Sequence, residues 1–392
     1  MSHYAIRTRA SAALALLLLT ACGSGTEPEV PGETATLTGT VRSATGMAPL
    51  EGATITLGTA QATSSASGQF ELSGLPVGQA TVRAERAGYV AAEATVTMAA
   101  GANSHDFSLA DQEVYVSGAI AAYVPAGAGP IRAAIVIIGG PVASGFATGD
   151  PLVSNNPELE QSLQAMGAGL RALAKSEGVA IVGSRTTGPP NTAGVDTEIF
   201  GALTAIGGLS GHPELGAAPV LMFGLSAGAG EAAGLVSRHP ERAVGLLVRV
   251  PAQVSALTTT PALAVPTLVM QAALDQTVNN LSIQTVFGKN RASGGRWALA
   301  VEPGVDHRTA TSRANGAAVQ WIREVLELRL PPSLGDPLIV LDESAGWLGD
   351  GTTLEISSWA DYPGNRATAS WLQSESAAGL WKALGTVEGG GE

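Results

Sequence analysis

The stretch with the clearest chemical content is Val220-Leu-Met-Phe-Gly224-Leu225-Ser226-Ala227-Gly228-Ala-Gly230-Glu231. An apolar run of strand character ends in Gly-Leu-Ser-Ala-Gly, and a small-residue run of helical character follows at once. This is the G-x-S-x-G pattern in the strand–turn–helix setting that lifts a serine hydroxyl off the edge of a sheet. A serine hydroxyl is a weak nucleophile until a base removes its proton, so such a turn implies acyl transfer only with a base beside it. Gly224 and Gly228 suit a strained turn in which neighbouring backbone leaves no room for Cβ atoms. A chain with 50 glycines also produces the pattern by chance. The order of elements around it therefore carries the weight.

From Glu113 to about Leu330 strands and helices alternate, the signature of a mainly parallel sheet covered by helices on both faces. Val114 to Val124 gives the early strands, and Ile131 to Ile138 a buried central one followed by Gly139-Gly140-Pro141. A helix around Leu159 to Lys175 leads to Val179–Gly183, and a second near Glu198 to Leu209 leads into the serine strand. Three more apolar runs follow, at Ala243–Val250, Thr267–Ala273 and Trp297–Val301, before a closing helix from about Ala314 to Leu328. Near-continuous apolar strands belong inside a doubly covered sheet.

This order resembles the α/β-hydrolase family over the whole of 113–330. In that family an acid follows the second strand after the nucleophile turn and a histidine follows the next strand. Those places hold Asp275 and His307, and the chain order Ser226…Asp275…His307 is the family's order. The resemblance implies that His307 takes the proton from Ser226 and returns it to the leaving group, while Asp275 fixes the imidazole tautomer and stabilises the imidazolium. Asp306 is the rival acid, but as the neighbour of His307 its carboxylate is badly placed to meet the same ring. Of the other histidines, His239 should end the helix after Ser226 as a C-cap or helix-end cation, and His212 lies in a loop-like setting.

An oxyanion hole needs two preorganised amides. Ala227, directly after the nucleophile, should supply one. The other should come from the loop after Ile138, where Pro141 has no N–H to give, leaving Gly140 or Val142. Many family members place a histidine before these glycines, whereas this chain has Ile138, which leaves the choice of second donor open. Between Val250 and Thr267 there is room only for a short loop, so no helical cap covers the site from there. An open site suits esters on a large or polymeric substrate, in the style of feruloyl esterases and polyester depolymerases. Apart from Phe146 the loops are poor in aromatics, and Arg185 is in reach of an anionic substrate group or is a solvated loop residue. The chemistry calls for no cofactor and no metal.

The flanks differ in kind. Arg7 and Arg9 precede an apolar core from Ala12 to Leu19 that is too short to span a bilayer and reads as a secretory segment. It ends in Leu19-Thr20-Ala21-Cys22, which resembles the lipobox of bacterial lipoproteins. That resemblance implies a signal peptide over 1–21 and lipidation of Cys22, the chain's only cysteine. The expected location is then the bacterial cell envelope, with the membrane as a partner through the anchor. Residues 22–34 form a Gly-, Ser-, Pro- and acid-rich tether that cannot bury enough surface to fold. With 33 acidic against 21 basic residues, no basic stripe is available to neutralise phosphates, which argues against nucleic acid.

Residues 35–112 show period-two runs rich in Thr and Val, as in Thr36–Val41, Ala53–Leu57, Gln69–Leu72, Ala80–Glu85 and Ala94–Met98. These predict the strands of a small all-β sandwich, with His105 in a terminal strand. The order Gly39-Thr-Val, Leu50-Glu-Gly-Ala-Thr-Ile, Ser67-Gly-Gln-Phe, Leu75-Pro-Val-Gly and Ala87-Gly-Tyr89 resembles the carboxypeptidase regulatory-like family. That implies a transthyretin-like accessory module, acting as a spacer or a contact surface. Residues 331–392 hold Trp347, Trp359, Trp371 and Trp381, four of the chain's six tryptophans. Large aromatics that anchor an extension onto the preceding unit are the default reading. A lid or stacking platform is the alternative.

These readings converge on an exported, lipid-anchored serine hydrolase acting on small-molecule or polymer-borne carboxylic esters. A serine peptidase or thioesterase of the same fold, or a non-catalytic surface-binding lipoprotein, is the alternative. For the anchor, Cys22→Ala is expected to move the protein from the membrane fraction to the soluble one. Membrane association that persists in this variant would refute lipidation as the tether.

Overall fold

The computed structural model describes residues 33–44, 47–127, 129–150, 156–184 and 193–386. Cys22, the stretch read as a secretory segment, most of the expected tether and Arg185 lie outside the described residues. The first unit is built from β1 (Thr34–Ser43), β2 (Thr54–Leu57), β3 (Ala60–Thr63), β4 (Gln69–Pro76), β5 (Gly78–Glu85), β6 (Ala92–Met98), β7 (Gly101–Ser104) and β8 (Phe107–Leu109). They form two four-stranded sheets, one with β4, β1 and β7 in order and β8 also on β1, the other ordered β3-β2-β5-β6. Alternation places Leu37, Val41, Ile55, Phe70, Leu72 and Val82 in the space between them, as the period-two pattern requires.

His105 corrects one expectation, because it lies in a break between β7 and β8 rather than in a strand. A Cβ on Gly39 would stand 1.8 Å from the His105 carbonyl oxygen. Opposite this crossing, the Asp106 carboxylate accepts from the amide and hydroxyl of Thr40, at 2.7 and 2.8 Å. A side chain has taken over the ladder's hydrogen bond there, so pairing along β1 passes from β7 to β8 with a gap.

The second unit adds β9 (Val114–Ser117), β10 (Ile120–Tyr123), β11 (Ala134–Ile138), β12 (Ala180–Ser184), β13 (Val220–Leu225), β14 (Ala243–Arg249), β15 (Thr267–Ala272) and β16 (Trp297–Glu302). They make one eight-stranded sheet in the order β16-β15-β14-β13-β11-β12-β10-β9. Only β10 runs against the rest. The inner strands are buried along their whole length save for Leu225, the last residue of β13, which is half-buried. Separate apolar layers lie on the two faces, one containing Ile138, Met222 and Val248 and the other Ile137, Phe223 and Leu247. This is the mainly parallel sheet, covered on both faces, that the alternation of elements implied.

The helices are α1 (Pro141–Thr148), α2 (Pro157–Glu177), α3 (Ala193–Ser210), α4 (Gly228–Arg238), α5 (Thr260–Leu263), α6 (Asn280–Ala292), α7 (Ser312–Arg329) and α8 (Glu375–Gly385). Their starts follow side-chain capping: Asn156, Asn279, Thr311 and Ser374 each accept from amides of the first turn. Between β14 and β15 stands only α5, of four residues.

The sandwich meets the second unit at the turn after β5. The Gly88 amide donates to the Leu209 carbonyl at 3.3 Å, and a Cβ on Gly211 would touch Ala87. Leu209 is at the end of α3 that feeds the start of β13, so the sandwich abuts the sheet end opposite Ser226. Thr34 lies at the sandwich's other end, paired with Pro76.

The C-terminal residues form β17 (Trp347–Gly349), β18 (Ile356–Ser358) and β19 (Ser370–Leu372), a three-stranded sheet, followed by α8. They close the open edge at β16. The Leu299 amide donates to Ser370 Oγ at 3.0 Å, and the Leu299 carbonyl accepts from Trp381 Nε1 at 2.6 Å. Such unpaired edge groups otherwise template aggregation. Arg291 of α6, 2% exposed, fastens the segment by donating to the carbonyls of Ala369 and Arg366, each at 2.6 Å. The tryptophans Trp371 and Trp381 are thus anchors.

If the extension is part of the fold, Trp381→Ala should lower the unfolding free energy by about 3–5 kcal/mol in a urea titration. A loss below about 1 kcal/mol would mark the extension as dispensable.

Candidate active site

Ser226 follows β13 with φ +48°, in the left-handed region that a non-glycine residue rarely enters. Neighbouring backbone holds it there. Its amide donates to the Arg249 carbonyl at 3.0 Å, and its carbonyl accepts from the amides of Ala229 at 3.2 Å and Ala252 at 3.0 Å. The turn is tight enough to demand glycine at Gly228, where a Cβ would stand 2.1 Å from the Ile138 carbonyl oxygen and 3.0 Å from the Gly139 amide nitrogen. The same contact brings the loop after β11 against the serine turn.

Ser226 Oγ lies 2.9 Å from His307 Nε2, and His307 Nδ1 lies 2.7 Å from Asp275 Oδ2. With the ring proton on Nδ1, donated to Asp275, Nε2 is the acceptor that a serine proton needs. The Asp275 side chain is fully buried and His307 is partly open to solvent. The other Asp275 oxygen accepts from the amides of Thr277 at 2.8 Å and Val278 at 3.2 Å, so the carboxylate is fixed from both sides. The structure therefore brings together the three residues picked from their places after β13, β15 and β16.

Asp306 is turned elsewhere. It accepts from the Arg308 amide at 3.0 Å and the Thr309 hydroxyl at 2.7 Å, and these bonds, the hydroxyl's first, hold its exposed carboxyl below the usual range. His239 does cap α4, and its ring also meets Asp196 at 3.0 Å. His212 stands before a short 3-10 turn and pairs with Glu214 at 2.9 Å.

The expected oxyanion donors are the amides of Ala227, Gly140 and Val142. Ala227 precedes the first residue of α4 and is exposed. Gly140 has φ +66° and precedes α1, and Val142 lies in that helix's first turn. The sequence had suggested a plain loop here, whereas α1 begins at Pro141 itself, whose fixed φ suits a first helical position. Among the described residues no hydrogen bond occupies the amides of Gly140, Val142 or Ala227. Two helix N-termini thus converge near Ser226, which favours negative charge there.

Two residues went unnoticed in the sequence. Arg249 ends β14 and is 5% exposed. Its carbonyl holds the Ser226 amide, while its guanidinium donates to Asn315 Oδ1 at 2.7 Å and to the Thr309 carbonyl at 3.2 Å. One residue therefore ties the serine turn to the loop that carries His307. Val250 follows with φ +40°, a conformation costly for a β-branched residue, and its amide bonds the Met270 carbonyl at 2.8 Å. Only the charge inside an apolar strand could have flagged Arg249. Nothing in the sequence signals Val250.

Residues 36–110 match the carboxypeptidase regulatory-like domain family. No curated protein matches the chain. Among solved structures, it is similar to esterase PE8, at 18% identity over 55% of this chain and 100% of that one, with a TM-score of 0.36. A cold-adapted esterase from an Arctic intertidal metagenomic library aligns at 18% identity over 52% of this chain and 87% of its own, with a TM-score of 0.34. A type II cohesin–X-dockerin complex from Acetivibrio cellulolyticus aligns at 21% identity over 19% of this chain, with a TM-score of 0.17, and the chain spans only 52% of that structure's length.

Glu231 sits on α4, one turn beyond the serine, 1% exposed and, among the described residues, with neither carboxylate oxygen meeting a hydrogen-bond partner. Burial raises its pKa; Arg238 opposes this and Asp196 adds to it. An acid whose folded pKa lies above its unfolded one costs stability as pH rises, because the unfolded chain releases the proton first. That loss begins near the unfolded pKa and is complete above the folded one. The unfolding free energy of Glu231→Gln should therefore gain on that of the parent as pH rises from about 4 towards neutrality. A pH-independent difference between the two would contradict a buried, unpaired acid.

Proposed function

We propose that the protein is a serine hydrolase that cleaves carboxylic esters through an acyl-enzyme on Ser226. The observation that carries this reading is the continuous hydrogen-bonded line from Ser226 Oγ through the His307 ring to Asp275. It begins at a serine whose backbone is held in a strained turn. As Ser226 Oγ attacks the ester carbonyl carbon, its proton passes to His307 Nε2, and Asp275, still ionised, stabilises the imidazolium. The carbonyl oxygen becomes an oxyanion facing the Ala227 amide and that of Gly140 or Val142, where donors fixed in advance cost no reorganisation. Collapse breaks the bond to the leaving alkoxide, which takes the proton from Nε2. Water then attacks the Ser226 ester by the same route in reverse, releasing the acid and restoring the serine.

The mouth supports a large substrate. Ala227 is exposed, only the short α5 stands between β14 and β15, and the sandwich abuts the far end of the sheet. With Cys22 as a lipid anchor the sandwich would act as a spacer, its Thr34 end towards the membrane and the catalytic mouth facing away.

A fluorophosphonate probe is expected to label the wild type and not Ser226→Ala. Asp275→Asn should fold normally yet lose on the order of 10⁴-fold in kcat on p-nitrophenyl esters, since the wrong tautomer then faces the serine. Labelling that survives Ser226→Ala would sink the reading, and so would peptide anilides turned over faster than esters.

A further inference from the structure

The C-terminal extension contains a cavity of about 400 Å³ that neither its anchoring role nor the triad uses. Its walls come from separate segments: Asp350 after β17, Glu355 and Ser357 at β18, Tyr362 and Pro363 in the following loop, and Lys382 on α8. The hydroxyl end of the Tyr362 ring stands close over Gly364, where a Cβ would stand 2.9 Å from Cε1 and 3.1 Å from Cζ. Burial, and after it the neighbouring Asp350 carboxylate, push the Tyr362 hydroxyl's pKa up. Asp350 is itself fixed by the amides of Thr352 at 2.8 Å and Thr353 at 2.9 Å. The Tyr362 ring also packs against the cluster of Leu348, Ala369 and Trp371, which holds the aromatic wall in place.

The polar groups around it are of both kinds. Glu355 and Asp350 offer acceptors and Lys382 offers donors. Ser357 Oγ is buried and, among the described residues, without a hydrogen-bond partner. Among the described residues Lys382 pairs with no carboxylate, although it shares the cavity with two of them. Anions would meet two carboxylates, and apolar chains would strand the polar walls. A ligand with many neutral hydroxyls and one apolar face answers every wall at once: it donates to the carboxylates, accepts from the ammonium, and lies on the aromatic ring.

The cavity also stands at the catalytic end of the sheet. The helix α8 starts beside Glu324, which accepts from Ser374 at 2.7 Å and Ser376 at 2.6 Å, and ends where the Thr386 carbonyl accepts from Arg313 at 3.1 Å. Arg313 is in the first turn of α7, directly after the His307 loop. Leu384, two residues past Lys382, lines a small hollow with Val305 and Thr309 of that loop.

The geometry points to a saccharide-binding pocket in the extension, holding one pyranose unit of a polysaccharide beside the active site. It follows that the ester cleaved at Ser226 is carried on a polysaccharide. The second statement rests on the proposed ester chemistry, whereas the first stands without it.

The test is affinity electrophoresis of the full-length protein in native gels cast with xylan, galactomannan or pullulan. Both wild type and Ser226→Ala should be retarded in at least one gel. In that gel Lys382→Met and Tyr362→Ala should each raise the dissociation constant by about tenfold or more. No retardation in any of the three gels overturns the proposal, as does retardation undiminished in Lys382→Met or in a folded Tyr362→Ala. Should Tyr362→Ala fail to fold, Lys382→Met, at an exposed position, decides alone. Retardation without fluorophosphonate labelling would sink the ester reading and leave the pocket standing, and labelling without retardation would do the reverse.

Discussion

The backbone of Ser226 is held at φ +48°, and the rest of the candidate site follows from what keeps it there. A non-glycine residue in that region costs about 1–3 kcal/mol, so it persists only where the surroundings leave it no alternative. Three hydrogen bonds to its own amide and carbonyl, from strand β14, the segment after it and helix α4, supply that constraint. Gly228 lets the turn close onto the end of β11. The strain is useful because the same geometry presents Oγ to His307.

Holding the serine is of no use unless the histidine is held in the same frame, and Arg249 links the two. Its carbonyl serves the Ser226 amide, while its guanidinium reaches Thr309 in the loop of His307 and Asn315 on α7. The loop is secured again where Thr311, the cap of α7, donates to Glu302 at 2.6 Å. Among the described residues, the sandwich and the C-terminal extension stay off the mouth. The sandwich abuts the opposite end of the sheet, and the extension seals the edge at β16 while reaching up beneath the His307 loop. Buried aromatics and one buried arginine give the extension its hold, and its polar cavity lies outside that packing.

The sheet was legible because its strands are nearly continuous apolar runs bounded by glycine and proline. Ser226, Asp275 and His307 were legible because each stands at the end of such a run. What could not be read were features set by tertiary contact. The start of α1 at Pro141 was hidden behind two glycines that resemble a loop. The break at His105 depends on Asp106 replacing a ladder bond, and no alternation pattern records that. Arg249 and Glu231 carry charge where the pattern expects none, yet only the fold shows that the arginine spans two loops and that the acid has no partner. The strain at Val250 has no sequence signature, since valine is what a buried strand end would carry anyway.

The measurement that bears most directly on this account is peptide mapping by mass spectrometry after rapid acid quench of the enzyme mixed with excess p-nitrophenyl acetate. The account predicts one acetyl group per chain, on the peptide containing Ser226, formed within the first turnover and lost as water completes the cycle. An acetyl group on any other residue, or turnover with no acylated chain at any quench time, would contradict a serine acyl-enzyme.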